Sequence, residues 1–193
     1  MPFDFGVKIF AVALSAAWGV SEQAFARRNR RAAGPTSHER DKGSFHWIAA
    51  SVFVGMYIAG AFGFSGVGGV TNVRAWELSG AFVLLAGTAI RLHAITVLAK
   101  HFTSRVTILP KHKLVRSGLY RYVRHPSYLG QILILVGIGA LMANVVAVLV
   151  APLMTTVALV WRIQVEERTM AEHFGAVYDE YRKTTWRLVP LVW

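Results

Sequence analysis

The chain has 193 residues, 54% of them hydrophobic, yet it carries a formal charge of +11 from 21 Lys and Arg against 10 Asp and Glu. Only 16% of residues are charged, against about 25% in a soluble domain, and they gather in blocks between long apolar runs, which excludes a single soluble globule and indicates an integral membrane protein. The absence of cysteine excludes disulfides, thiolate metal sites and thiol nucleophiles.

A membrane-crossing helix takes about 20 mostly apolar residues. The chain offers about five such segments, and with no sustained strand alternation the predicted fold is all-α. The first is expected from about Phe5 to Phe25. The cationic run RRNRR follows this segment instead of preceding it, so it reads as a retained membrane helix and not as a cleaved leader. The second is expected from about Phe45 to Phe64, and the third from about Trp76 to Leu98, with Arg91 and His93 inside it. The fourth and fifth share the apolar run from Tyr128 to Trp161, too long for one span and short for two. A helical hairpin turning near Asn144, with one or both arms short, resolves the length, and Pro152 is expected to kink the second arm. Beyond it, Phe174, Val177, Tyr178 and Tyr181 recur at helical spacing and predict a C-terminal cytoplasmic amphipathic helix that folds back on the membrane face.

Orientation follows from the distribution of cations. Six Lys or Arg lie between Arg27 and Lys42, seven between Lys100 and Arg124, and five from Arg162 onward, whereas the opposite loops hold only Lys8 and Arg74. This bias places the N-terminus outside and both basic regions and the C-terminus in the cytoplasm. The cations flank apolar runs, so the expected partners are membrane lipids and a lipophilic substrate; no nucleic acid and no obligate protein partner is expected.

Three stretches carry polar groups where chemistry could occur. In YRYVRHPSYLG, residues 120–130, Arg121 and Tyr122 suit ordinary headgroup anchoring. Pro126 suits the first position of a helix, leaving its N-terminal amides and Ser127 free for a ligand, with His125 and Tyr128 flanking a donor-rich pocket. Arg162 and Glu166 stand four apart on one helical face where the fifth span leaves the apolar layer; an i,i+4 ion pair and a functional pair facing a cavity are both open readings. In HKLVRSGLY, residues 112–120, Gly118 permits a turn and Leu114 and Val115 offer apolar surface along which a nucleoside could lie. Arg91 could snorkel or pair within the bundle, and His93 is expected to pack. His101, His112 and His125 lack ligand spacing, and no metal site is expected.

HKLVRSGLYRYVRHPSYLG, followed by an apolar hairpin and EERTMAEHFGAVYDEYRKTTWRLVP, resembles the integral membrane isoprenylcysteine carboxyl methyltransferase family, relatives of the phospholipid N-methyltransferases. The resemblance runs from about Gly87 to Pro190. It implies one methyltransferase domain over 1–193, with variable N-terminal spans in 1–75 and a cofactor-binding core in 87–190. It further implies S-adenosylmethionine as cofactor, in a pocket open to the cytoplasm. By matching position the cofactor residues are His112, Lys113, Leu114, Val115, Tyr120, His125, Pro126, Ser127, Tyr128 and Glu166. Arg162 matches the substrate-side arginine, and with Glu166 makes the catalytic pair. Lys113 replaces a smaller polar residue, so only its backbone is comparable, and Thr107 falls near a further cofactor position in a loop about two residues shorter than in the eukaryotic enzymes.

The implied reaction is methylation of a lipophilic acceptor at the membrane, first of an isoprenylcysteine-like or other carboxylate. The alternatives are a phospholipid amine and, in a different class, an NADPH-dependent sterol-type reduction. Sterol reductases resemble the same region but have Asn after the histidine, where this chain has Pro126 and Ser127. No strand followed by G-x-G-x-x-G occurs, which excludes a soluble Rossmann-type methyltransferase.

Overall fold

The computed structural model describes residues 6–20, 38–39, 44–98, 107–108 and 114–193. In chain order these form α1 (Gly6–Val20), α2 (Ser44–Ser65), α3 (Val73–Leu98), a short 3₁₀ turn (Gly118–Arg121), α4 (Pro126–Leu141), α5 (Val145–Phe174) and α6 (Ala176–Lys183). The one strand pairing among the described residues is a two-residue antiparallel contact, His38–Glu39 with Thr107–Ile108. The all-α expectation therefore holds.

Among the described residues three helices are long and apolar enough to cross a bilayer: His46–Ser65 within α2, and α3 and α5. The described part of α1 and α4 are shorter. At 16 residues α4 is about 24 Å long, less than the ~30 Å hydrocarbon layer, so it is the short arm that the hairpin required. Its partner α5 has 30 residues, about 45 Å, and continues unbroken through Pro152 to Phe174. The side chains say which surface meets lipid: Phe53, Tyr57, Phe82, Leu85 and Val157 all point outward. Inside, Ala11, Ala59, Ile134, Ile138, Leu141, Met142, Ala147 and Ala151 form one core drawn from α1, α2, α4 and α5.

The tightest approach joins α3 to α4. A Cβ on Gly87 would lie 2.9 Å from the Gly130 carbonyl oxygen, and one on Gly137 would lie 2.8 Å from that of Gly80. Small residues at matching depth let two helix backbones touch where the hydrophobic effect offers no drive, as happens within lipid. The seven-residue spacing Gly80/Gly87 meets Gly130/Gly137 in antiparallel register. One turn beyond Gly87, this contact brings Arg91 against the start of α4.

At the opposite end the hairpin turns at Asn144, as its sequence indicated. Asn144 caps α5 by accepting from the Ala147 amide at 3.1 Å, and its amide nitrogen donates to the Phe62 and Val67 carbonyls at 3.1 and 2.7 Å. Asn144→Ala removes the cap and takes a donor from both carbonyls, leaving Phe62 with the Ser65 hydroxyl. The expected result is a loss of roughly 1–3 kcal/mol, read as a lowered unfolding midpoint in detergent, with the site at the far end still binding ligand.

Candidate functional site

The site forms where α4 begins and α5 emerges. Pro126 occupies the first helical position of α4 with His125 as its N-cap, and this aims His125 and Tyr128 to the same side. Their rings stack nearly parallel, 9° apart, with centroids 5.6 Å from each other. Facing them from α5 are Arg162 and Glu166, one turn apart.

These four side chains make a closed set of contacts. The Tyr128 hydroxyl donates to Glu166 Oε1 at 2.5 Å, and Arg162 Nε donates to the Tyr128 oxygen at 2.8 Å and to Glu166 Oε1 at 3.0 Å. His125 Nδ1 lies 3.4 Å from Glu166 Oε2. Arg162 is buried, whereas the Glu166 side chain keeps 20% of its surface exposed, so the carboxylate is held from behind and open in front. The i,i+4 ion pair of Arg162 and Glu166 is present, with Arg162 buried and the pair joined to Tyr128 and His125.

His125 also approaches a second carboxylate: its Nε2 lies 3.4 Å from Glu167 Oε1. Burial alone would favour the neutral ring, but hydrogen bonds to Glu166 and Glu167, reinforced by their charges, raise the imidazole above its ordinary 6.5. Tyr120, in the 3₁₀ turn, has its phenol pushed above the ordinary range by burial and then by the Glu166 charge. The turn is opened by Gly118 at φ +59°, as its glycine suggested, and it is fastened by Tyr181 of α6, whose hydroxyl donates to the Tyr120 carbonyl at 2.6 Å.

The other expected residues fall as follows. Pro126 is buried at the head of α4, and Leu114 and Val115 are half-buried. Ser127, expected to be free for a ligand, is instead engaged: Arg91 Nη1 donates to its Oγ at 3.1 Å and to its carbonyl at 2.9 Å. This accounts for an arginine inside the third span. Its guanidinium also lies 6.0 Å from the Trp18 ring, linking α1, α3 and α4. His112 and Lys113 lie outside the described residues, as does the side chain of Thr107. In the C-terminal amphipathic helix Tyr178 and Tyr181 are buried, but Val177 is 55% exposed and does not pack as its spacing suggested, because α6 restarts after Gly175 at φ +53° with a new phase.

Glu167 was missed by sequence reasoning. It is buried, and besides His125 it accepts from Arg124 Nε at 2.8 Å and from Arg187 Nε and Nη2 at 3.1 and 3.0 Å. Its signal was the doubled glutamate: consecutive residues on a helix point about 100° apart, so Glu166 and Glu167 address different neighbours.

A bundle of outward-apolar helices with a buried ionic cluster at one end is an integral membrane protein with a site at the level of the membrane surface. Comparison with known proteins adds a particular family likeness. Residues 80–172 match the family described as Isoprenylcysteine carboxyl methyltransferase (ICMT) family, bearing out the resemblance read from the motifs. The protein-S-isoprenylcysteine O-methyltransferase of Schizosaccharomyces pombe is 38% identical over 81 residues, 42% of this chain and 34% of that protein. The enzyme designated A of Arabidopsis thaliana is 32% identical over 121 residues, 61% of each. The solved structure of the eukaryotic intramembrane Ras methyltransferase ICMT superposes with a TM-score of 0.56 at 25% identity, covering 75% of this chain and 51% of that one. The chain thus spans between about a third and three fifths of the length of these relatives.

Proposed function

We propose that the protein is an S-adenosylmethionine-dependent methyltransferase acting on a lipophilic acceptor at the membrane, first of all a carboxylate such as that of an isoprenylcysteine. The observation that carries this reading is the cluster Tyr128–Arg162–Glu166–His125, held from behind and open at Glu166.

The chemistry of these residues fits the cofactor. A fixed, partly open carboxylate accepts hydrogen bonds from hydroxyl or amino groups and favours a neighbouring cation, and the stacked His125 and Tyr128 rings offer a flat wall beside it. His125, Tyr128 and Glu166, with Tyr120, Leu114 and Val115 nearby in sequence and Pro126 and Ser127 supporting the helix start, are the residues that would hold it. His112 and Lys113 join this set by motif position. When bound, the cofactor supplies a methyl group on a sulfonium for in-line displacement.

The work left to the chain is orientation and exclusion of water, because such a displacement disperses charge and needs no strong base when the acceptor is a carboxylate. Arg162 commits Nε to Tyr128 and Glu166. Its planar guanidinium is the group suited to orienting an acceptor carboxylate. With Arg124, Arg162 and Arg187 around two glutamates, the site favours an anionic acceptor over an amine. The cation distribution supports a cytoplasmic mouth for the site and an external N-terminus.

Titration of the purified protein with S-adenosylhomocysteine and, separately, with NADPH tests the reading. S-adenosylhomocysteine is expected to bind and NADPH is not; the reverse outcome would establish the reductase alternative.

A further inference from the structure

We propose that Glu167 is a positioning residue of the site: it ties the C-terminal strap, residues 184–193, to His125 and thereby sets the face that His125 presents to Glu166. The proposal rests on the donor-binding reading of Glu166 and adds a residue that the proposed chemistry does not touch.

Three separate segments meet at the Glu167 carboxylate. Oε1 takes Arg124 and lies beside His125, both from the segment preceding α4, and Oε2 takes Arg187 from the strap. Arg124 extends the link, because its Nη1 donates to the Arg182 carbonyl at 3.1 Å and also to the Thr185 carbonyl. The backbones run together as well. The Arg124 amide donates to the Trp186 carbonyl at 2.8 Å, the His125 amide to that of Arg187 at 3.2 Å, and the Trp186 amide to that of Tyr122 at 2.9 Å.

Two arginines on one buried carboxylate exceed what neutralising it requires, whereas they are what joining two chain segments to α5 requires. The imidazole supplies the route to the site. Its two nitrogens face two different carboxylates, and a histidine can donate on both sides only as the imidazolium. With Glu167 in place, the ring is held with Nδ1 toward Glu166; without it, one nitrogen loses its partner and the strap loses the Arg187 link to α5.

The groups surrounding the imidazole give the pH behaviour its sign. Glu166 and Glu167 face it from α5 and Tyr128 stacks on it from α4, while Arg162 is paired to Glu166, and Arg124 and Arg187 to Glu167. The raised imidazole holds its proton to higher pH than a free ring, so its contribution is complete at low pH and is lost as pH rises through the folded-state value. Removing the Glu167 charge lowers that value and moves the loss to lower pH. Removing Arg187 does not.

The experiment is calorimetric titration of S-adenosylhomocysteine into the purified full chain from about pH 6 to 10, with wild type, Glu167→Gln, Arg187→Gln and the double variant. Both single variants are expected to weaken binding roughly tenfold or more, the double variant to add little to the weaker single, and Glu167→Gln alone to shift the alkaline loss of binding downward. Wild-type affinity in both singles, fully additive losses, or an unmoved alkaline limb in Glu167→Gln would overturn the proposal. A wild-type protein that binds nothing at any pH would instead overturn the reading on which it rests. Should Glu167→Gln fail to fold, Glu167→Asp, which keeps the charge but withdraws it from His125 and Arg187, carries the affinity and double-variant comparison with a smaller downward shift of the alkaline limb, and Arg187, with 27% of its side chain exposed, tolerates replacement.

Discussion

Replacing Glu166 by glutamine is expected to weaken S-adenosylhomocysteine binding by about 10- to 100-fold while leaving the protein folded. The magnitude follows from the charge on the acceptor: a hydrogen bond to a carboxylate contributes roughly 1.5–3 kcal/mol, and each 1.4 kcal/mol is a factor of ten in affinity. Glutamine preserves the shape of the side chain and can still accept from Tyr128, so the effect on the fold is small. Glu166→Ala should be worse on both counts, because Arg162, 2% exposed, would no longer face a carboxylate at 3.0 Å. His125→Ala should match the glutamine variant in binding, since it removes the stacked ring beside Tyr128 and the imidazole behind Glu166. Calorimetry for affinity and a thermal melt for the fold separate the two effects. Unchanged affinity in both Glu166→Gln and His125→Ala would mean that the pocket lies elsewhere.

The second large effect lies in the bundle, away from any ligand. Gly87→Val should disrupt the α3–α4 packing and lower the unfolding midpoint sharply, because a Cβ there would sit 2.8 Å from the Ile134 amide nitrogen and 2.9 Å from the Gly130 oxygen. Both obstacles are backbone and cannot swing aside, so the helices must separate; overpacking of this kind costs roughly 1–3 kcal/mol and sometimes more. Separation also moves Arg91 away from Ser127, so ligand affinity should fall together with stability. Gly60→Val is the control, since a Cβ at Gly60 meets nothing within 4 Å. A Gly87 variant as stable as the Gly60 variant would show that the close approach is not what holds these helices.

The division between what the sequence revealed and what it concealed follows the range of the interactions. The spans were legible because solvent preference is written residue by residue, and the hairpin was legible because the apolar run from Tyr128 to Trp161 had the wrong length for any single helix. Pro126 and Gly118 announced a helix start and a turn through their own backbone constraints. Arg162 and Glu166 were legible as a pair because helical spacing alone puts them together.

What was hidden depends on distant partners. Arg91 meets Ser127 36 positions away, and Glu167 meets Arg124 and Arg187 43 and 20 positions away, none of which spacing along one helix could pair. How far α5 runs past Glu166, to Phe174, was hidden by its change from apolar to charged side chains, which marks the end of the lipid layer but not the end of a helix. One usable signal went unread: Gly80 and Gly87 share the seven-residue spacing of Gly130 and Gly137, and two such stripes on apolar helices are a packing surface.

The central claim is methyl transfer to a lipophilic carboxylate. It is tested most directly by incubating the purified protein with methyl-labelled S-adenosylmethionine and a membrane lipid extract that contains isoprenylcysteine, and treating the labelled product with base. A lipid-soluble product that releases its label in base, as a methyl ester does, is the expected result. Label retained through base would place the methyl group on nitrogen or carbon, and no labelled product at all from a protein that binds NADPH would contradict the methyltransferase reading.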